Sequence, residues 1–243
     1  MPLPSRDFDP TETGVPWQSL TAKGPRITIA TPDGKPASAD PIMVTGKGLG
    51  PLRAVLRANA AGRNAYRALF QSDAFQKPIA YDAIRPDDYD ALLLPGGHAK
   101  GMRPYLESPV LQQVVSAFFA ADKPVGAICH GTLLAARSKG ANGKSVLHGR
   151  KTTGLTRAQE LLAWGMTRAW MKDYYRTYPT PLENEIRALL AHPDDFQQGP
   201  ASFKRDAPDR LDRGFTMRDG NYLSARWPGD AHRFASEFAT LLK

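Results

Sequence analysis

Two apolar runs of strand length, Tyr89-Asp-Ala-Leu-Leu-Leu-Pro-Gly-Gly97 and Pro124-Val-Gly-Ala-Ile-Cys129, flank one helical segment opened by Ser108-Pro109. Their central residues do not alternate apolar with polar, and each run is punctuated by glycine or proline. Strands patterned this way are buried on both faces, as in a parallel sheet covered by helices on either side. The helix between them supplies the crossover that two parallel strands require. This stretch constrains the chain to an α/β architecture.

The rest of the chain extends the alternation. Asp9-Pro10-Thr11-Glu12 has the form of a helix start, with Asp9 as N-cap and Glu12 at the capping-box position, leading a helix through Trp17 and Leu20 to Gly24. Arg26–Ala30 reads as a short strand before the Pro32-Asp-Gly34 turn. Leu52–Phe70 reads as a helix, and Ile79–Ile84 and Lys151–Leu155 as further strands. Ala158–Trp164 reads as a helix, and Phe215–Ser224 as a hairpin turning on Asp219-Gly220. Asp230–Leu242 closes the chain as an amphipathic helix. The expected fold is a flavodoxin-like, doubly wound three-layer α/β/α sandwich with a mostly parallel sheet. All 243 residues belong to one domain, with residues 165–212 as a cap or insertion around one clear helix, Leu182–Ala191.

Composition narrows the function classes. The formal charge of +8 invites a nucleic-acid reading, but the 32 basic residues are scattered, with no zinc-finger spacing and no aromatic RNA-binding signature. The densest group, Arg53, Arg57, Arg63 and Arg67, reads as a solvated helix face. No apolar run approaches the roughly 18 residues of a membrane span. Met1–Arg6 lacks a signal-peptide pattern, and one cysteine gives no disulfide framework, so the expected compartment is the cytoplasm. Three cofactor motifs fail. Gly46-Lys-Gly48-Leu-Gly50 has the wrong spacing for a dinucleotide loop. Gly143-Lys144-Ser145 lacks the earlier phosphate-loop glycine, that position being Ser138. His192-Pro-Asp194-Asp195 has no partner ligands for a metal. No cofactor and no metal are expected.

The single cysteine, Cys129, sits where an apolar strand breaks into a helix, Gly131–Arg137. That is the position of a nucleophile on a sharp turn, its thiolate favoured by the helix N-terminus. A lone cysteine is also an ordinary small hydrophobe. Gly96 and Gly97 end the preceding strand at the same edge of the sheet, where the backbone of Gly97 and His130 would form an oxyanion hole; a plain tight turn explains the glycines equally well. His130 is the adjacent base candidate, or a packed histidine. Glu12 points toward the same edge, or only caps its helix. Glu160 would orient an imidazole, or lie exposed on its helix. Gly96, His98 and Trp17 are candidates for lining a substrate pocket.

Four motifs, Phe8-Asp-Pro-Thr-Glu12, Ala30-Thr-Pro-Asp-Gly-Lys-Pro36, Tyr89–His98 and Ala127-Ile-Cys-His-Gly131, together resemble the ThiJ/PfpI superfamily, most closely its heat-shock chaperone and glyoxalase III branch. The resemblance spans residues 3–164 and resumes over 215–238. It implies that Cys129 is the reactive cysteine, that His130 follows it, and that Glu12 hydrogen-bonds the thiol. It also implies that Glu160 completes a Cys–His–Glu arrangement. Two features depart from the family. Only Met1–Asp7 precedes the first motif where members carry a full central strand, so either the sequence starts late or its first strand is clipped. Residues 165–212, with Trp170, Tyr174, Tyr175 and Tyr178, lie outside the minimal fold and are expected to form the cap's own core or line a pocket.

The implied activity is conversion of methylglyoxal or glyoxal to lactate or glycolate without glutathione, through a hemithioacetal on Cys129. Three alternatives share the residues: a Cys–His amide hydrolase, a stress-response chaperone, and a redox sensor oxidised at Cys129. Glutamine amidotransferase activity is not expected, because none of the five histidines has glutamate two residues on. The expected partners are a small aldehyde or amide substrate and a second copy of the chain as a homodimer, with no nucleic acid and no membrane.

Overall fold

The computed structural model describes residues 1–242. Its largest sheet has the order β5 (Leu92–Leu94), β6 (Val125–Ile128), β8 (Tyr222–Ala225) and β7 (Thr216–Asp219). The first three run parallel, and β7 returns antiparallel to β8. The hairpin turns at Gly220, whose φ of 59° suits glycine. Leu92 pairs with Val125, and Val125 pairs with Tyr222.

Side-chain alternation across these strands builds two core layers. Leu92, Leu94, Val125, Ala127 and Tyr222 join Leu111, Val115 and Phe118 of the Pro109–Ala120 helix and Leu133 and Leu134 of the Gly131–Arg137 helix. Leu93, Ile128, Leu223 and Ala225 face the other way, onto Val15 and Leu20 of the Pro10–Thr21 helix and Phe234 and Phe238 of the Ala231–Phe238 helix. Gly126 permits the second layer: a Cβ there would lie 2.9 Å from the Phe238 ring. The molecule is the expected α/β/α sandwich with a mostly parallel sheet.

The remaining strands are short. β1 (Arg6–Phe8) pairs parallel with β3 (Ser38–Ala39), and β2 (Ala30–Thr31) pairs parallel with β4 (Ile79–Ala80). The main chain of Met1–Leu3 lies along Thr28–Ala30, with the Leu3 amide donating to the Ala30 carbonyl at 2.8 Å. β2 and β5 form no ladder. Between them lies a groove of about 820 Å³, lined by Ile27, Thr28, Tyr89, Ala91, Leu93 and Phe238 among others. Burial pushes the Met1 ammonium down to about 5, because it is desolvated without a counter-charge.

Several boundaries differ from the sequence pattern. Leu52–Phe70 is not one helix but Gly50–Leu52, Arg53–Leu56 and Ala60–Phe70, because Asn59 caps the last piece by accepting from the Gly62 amide at 2.8 Å. The four arginines therefore do not share one helix face. Ile79–Ile84 is strand only over its first two residues, and Lys151–Leu155 contributes one bridge, Thr152 to Phe196. The Arg157–Met171 helix runs past residue 165, fixed by a complete capping box between Thr156 and Gln159. The helix thus spans the boundary expected at residue 165, and the helix of the insertion itself is Leu182–Leu189.

Candidate active site

The β6–β8 ladder carries one residue past the strand, the Cys129 amide donating to Ala225 O at 3.0 Å, and then stops. Cys129 has φ 55°, in the left-handed region that costs an ordinary residue about 1–2 kcal/mol. The helix beginning at Gly131 enforces that turn. A Cβ on Gly131 would collide with the Leu94 carbonyl, so the helix start sits hard against the end of β5. The Cys129 carbonyl accepts from the Thr132 amide at 3.2 Å and its hydroxyl at 2.6 Å. A non-glycine residue held at positive φ by such surroundings, at the carboxyl edge of a parallel sheet, is a nucleophile elbow.

His130 Nδ1 lies 3.5 Å from Cys129 Sγ, and His130 Nε2 lies 2.9 Å from Thr177 Oγ1. The Thr177 hydroxyl also donates to the His98 carbonyl. A hydroxyl has one proton, so its oxygen accepts from Nε2–H, leaving the Nδ1 lone pair toward the thiol. Burial, with His98 and Arg137 nearby, pushes the His130 pKa down to about 3, so the ring is neutral near pH 7.

Glu12 approaches from the other side. Asp9 caps its helix as expected, its Oδ1 accepting from the Thr11 amide at 2.7 Å and the Glu12 amide at 3.0 Å. The Glu12 side chain does not close a capping box. It is buried against Gly96 and the Cys129 thiol, and neither carboxyl oxygen completes a hydrogen bond of ordinary geometry. Burial and the neighbouring Asp9 push its pKa well above the usual carboxylate range, and burial beside these acids likewise raises the thiol. Burial thus favours the neutral form of both groups, a carboxylic acid beside a thiol, so the thiol proton needs a base to leave.

Both glycines after β5 are required by close approach. A Cβ at Gly96 would stand 2.6 Å from Glu12 Oε2 and 2.7 Å from the His130 amide, and one at Gly97, whose φ is 153°, would stand 2.7 Å from Asp7 O. Gly96 is thus packed directly against the His130 amide named as an oxyanion donor, while Gly97 is pressed onto the Asp7–Asp9 backbone.

The insertion covers this centre. Arg103 donates from Nε and Nη2 to the Thr177 carbonyl at 2.8 and 2.6 Å, drawing that segment down. His98 stacks on Tyr175 with ring centroids 4.4 Å apart, and Tyr174 meets both rings edge-on. Cys129 is 3% exposed, His130 2% and Glu12 1%.

Two candidates fall elsewhere. Glu160 is buried but turned away from His130: its Oε2 accepts from the Leu182 amide at 3.0 Å, and Arg176 Nε lies 3.3 Å from its Oε1. It anchors the next helix, and Thr177 takes the place beside the imidazole assigned to it. Trp17 is half-buried against the hydrophobic core rather than joining the Cys129 cluster. Of the cap aromatics, Tyr174 and Tyr175 pack on His98 and form a separate apolar cluster with Met43 and Leu49. Tyr178 packs under Arg137 and hydrogen-bonds Glu107, while Trp170 is exposed and donates to Gly48 O. Thr177 escaped notice because nothing local marks it; a threonine in an aperiodic segment carries no spacing signal.

No group of three or more metal-ligating side chains occurs among the described residues, and no helix there is long and apolar enough to cross a membrane. A cysteine elbow at the carboxyl edge of an α/β/α sandwich, flanked by glutamate and histidine, defines a class of cysteine-centred proteins. Within it, the ThiJ/PfpI family-like profile matches residues 3–200, and the chain belongs to that family. Deglycase PfpI of Pyrococcus furiosus is 27% identical over 165 residues, covering 68% of this chain and 69% of the relative. A deglycase of Pyrococcus horikoshii is 22% identical over 99% of this chain and 97% of its own. The crystal structure of glyoxalase III from Candida albicans superposes with a TM-score of 0.69 at 19% identity, covering 97% of this chain and 88% of that one.

Proposed function

We propose that the protein is a cofactor-independent enzyme of the glyoxalase III type, which converts 2-oxoaldehydes such as methylglyoxal to 2-hydroxy acids through Cys129. The observation that carries this reading is the thiol's position between an imidazole lone pair 3.5 Å away and the buried Glu12 carboxyl, whose pKa burial raises. His130 Nδ1 takes the thiol proton as sulfur adds to the aldehyde carbon. The hemithioacetal oxygen lies toward the backbone amides of His130 and Gly97. Glu12 or His130 then removes the C1 proton, and delivery of a proton to C2 through the enediol leaves a 2-hydroxyacyl thioester. Water cleaves the thioester, releasing the acid and restoring the thiol. The sum is one water consumed per oxoaldehyde, with no net oxidation.

The relatives named deglycases support a second use of the same first step, attack of the thiol on a glycating carbonyl still joined to its adduct. The chaperone, redox-sensor and amide-hydrolase readings draw no comparable support from the geometry around the sulfur.

The test is lactate formation from methylglyoxal by purified protein without added thiol, alongside Cys129→Ser and Glu12→Gln. Turnover in the wild type and its loss in both variants is the expected result. A wild type that alkylates at Cys129 but makes no lactate overturns the proposal.

A further inference from the structure

Two guanidinium groups meet at Tyr178. Arg103 lies 5.2 Å from the centre of its ring and Arg137 lies 4.4 Å from it. The Tyr178 hydroxyl accepts from Arg137 Nη1 at 2.9 Å and donates to Glu107 Oε1 at 2.7 Å. Arg137 spends the rest of its fork on Glu185, from Nε at 2.6 Å and from Nη2 at 3.0 Å. A bidentate ion pair accounts for Arg137.

Arg103 has no such account. It opens the short Arg103–Leu106 helix, and Glu107 stands four residues on, a spacing at which opposite charges pair. Among the described residues, however, Arg103 pairs with no carboxylate. Glu107 is taken by Tyr178, and Nε and Nη2 of Arg103 both donate to one neutral acceptor, Thr177 O, at 2.8 and 2.6 Å. The base of this fork is rigid. Met102, Tyr105 and Leu106 are fully buried, Tyr105 OH donates to Pro95 O at 3.1 Å, and the Gly101 amide donates to Asp7 Oδ2 at 3.0 Å.

The fork fixes the residue that meets the imidazole. Thr177 lies in an irregular run, Thr177-Tyr-Pro-Thr-Pro181, outside any helix or strand, so no ladder holds it. Among the described residues its carbonyl accepts from Arg103 alone. Its hydroxyl donates to the His98 carbonyl and lies 2.9 Å from His130 Nε2. One hydroxyl proton serves only one of these contacts, so the second requires Nε2–H and leaves Nδ1 bare, 3.5 Å from Cys129 Sγ.

We propose that Arg103 is a positioning residue for the base: by fixing Thr177 it holds His130 in the Nε2–H tautomer, with Nδ1 free to take the Cys129 proton. This role rests on His130 acting as that base, as in the function proposed above, but on no particular substrate.

Cys129 is the only cysteine in the chain, so alkylation of the full-length protein by iodoacetamide reads this thiol alone. Rates are compared from about pH 6 to about pH 10 for the wild type, Arg103→Met and Arg103→Lys. Arg103→Met is expected to react about tenfold more slowly near neutral pH, the difference closing as pH rises and hydroxide replaces the base. Arg103→Lys, which keeps a donor, is expected to recover part of the rate. A merely structural tie acts in the opposite direction, because a loosened cover exposes the sulfur and speeds alkylation at every pH. A folded Arg103→Met that alkylates as fast as the wild type, or faster, would therefore overturn the proposal. Long-range nitrogen–proton spectra of the histidine rings, assigned with His130→Gln, are expected to show Nε2–H on His130 in the wild type and a mixture of tautomers in Arg103→Met. Nδ1–H in the wild type, or an unchanged ring in Arg103→Met, would also overturn it. Should Arg103→Met not fold, the same readouts on Arg103→Lys decide, and a rate at or above that of the wild type sinks the idea. Slow alkylation of Arg103→Met in a protein that makes no lactate would remove the enzyme reading and leave the positioning role standing; lactate formation with unchanged alkylation in Arg103→Met would do the reverse.

Discussion

The elbow and the segment that covers it are built by opposite means. At the elbow, every constraint on Cys129 comes from close neighbours in sequence or from two adjoining strands: Ala225 O, Thr132, Gly131 against Leu94. In the cover, the decisive contacts join residues far apart. Thr177 meets His130 across 47 residues, and Arg103 holds Thr177 across 74. The elbow fixes where the sulfur sits, and the cover sets the imidazole's tautomer and buries both side chains. Cys129 and His130 are thus adjacent in sequence but are held by different parts of the chain.

That contrast can be broken at its strongest point first. Cys129→Ser is expected to lower 2-oxoaldehyde turnover by at least about a thousandfold in a lactate assay, with the cover intact by circular dichroism. Gly131→Ala attacks the elbow's geometry: its methyl meets Leu94 O, and stability is expected to fall by about 3 kcal/mol in urea unfolding. An unchanged midpoint would show that the helix start is not what forces the turn.

Thr177→Val acts from the cover alone. It removes the oxygen that accepts from Nε2–H, frees the ring to invert its tautomer, and is expected to cost roughly tenfold in kcat, within the share a positioned base contributes. Thr177→Ser, which keeps the hydroxyl, should restore most of it. If Thr177→Val matches the wild type, the cover does not set the base.

The smallest effect is on acid stability. Burial lowers the His98 pKa from 6.5 to about 4, so the fold favours its neutral form. The stability this ring supports is full above about pH 6.5 and lost as pH falls toward 4. Because the residue as a whole keeps some solvent contact, the difference between wild type and His98→Phe over that range is expected to be about 1 kcal/mol. Parallel pH profiles for the two proteins would refute it.

How much was legible follows the same division. The unbroken apolar runs predicted β5 and β6, and the Asp219-Gly220 turn predicted the hairpin. The N-cap at Asp9 held because capping uses atoms two and three residues away. Leu52–Phe70 misled because its periodicity runs through Asn59, whose cap ends one helix and begins another. Glu160 misled for a different reason. Its place after a strand puts it near the site, but the direction of its carboxylate depends on the Leu182 amide and Arg176, which the insertion supplies.

By itself, the sequence determined the layered α/β architecture, the strand-to-helix turn at Cys129 and the concentration of glycines at one sheet edge. Those follow from hydrophobic burial and from backbone sterics, which act over a few residues or through simple periodicity. Only the tertiary structure decided that Glu12 leaves its capping role to press on the thiol and that Thr177 rather than Glu160 faces His130. Each depends on the direction of one hydrogen bond or one buried charge between segments distant in the chain. Such directions are set by how finished layers dock, because a polar group finds its partner only once packing has removed its water.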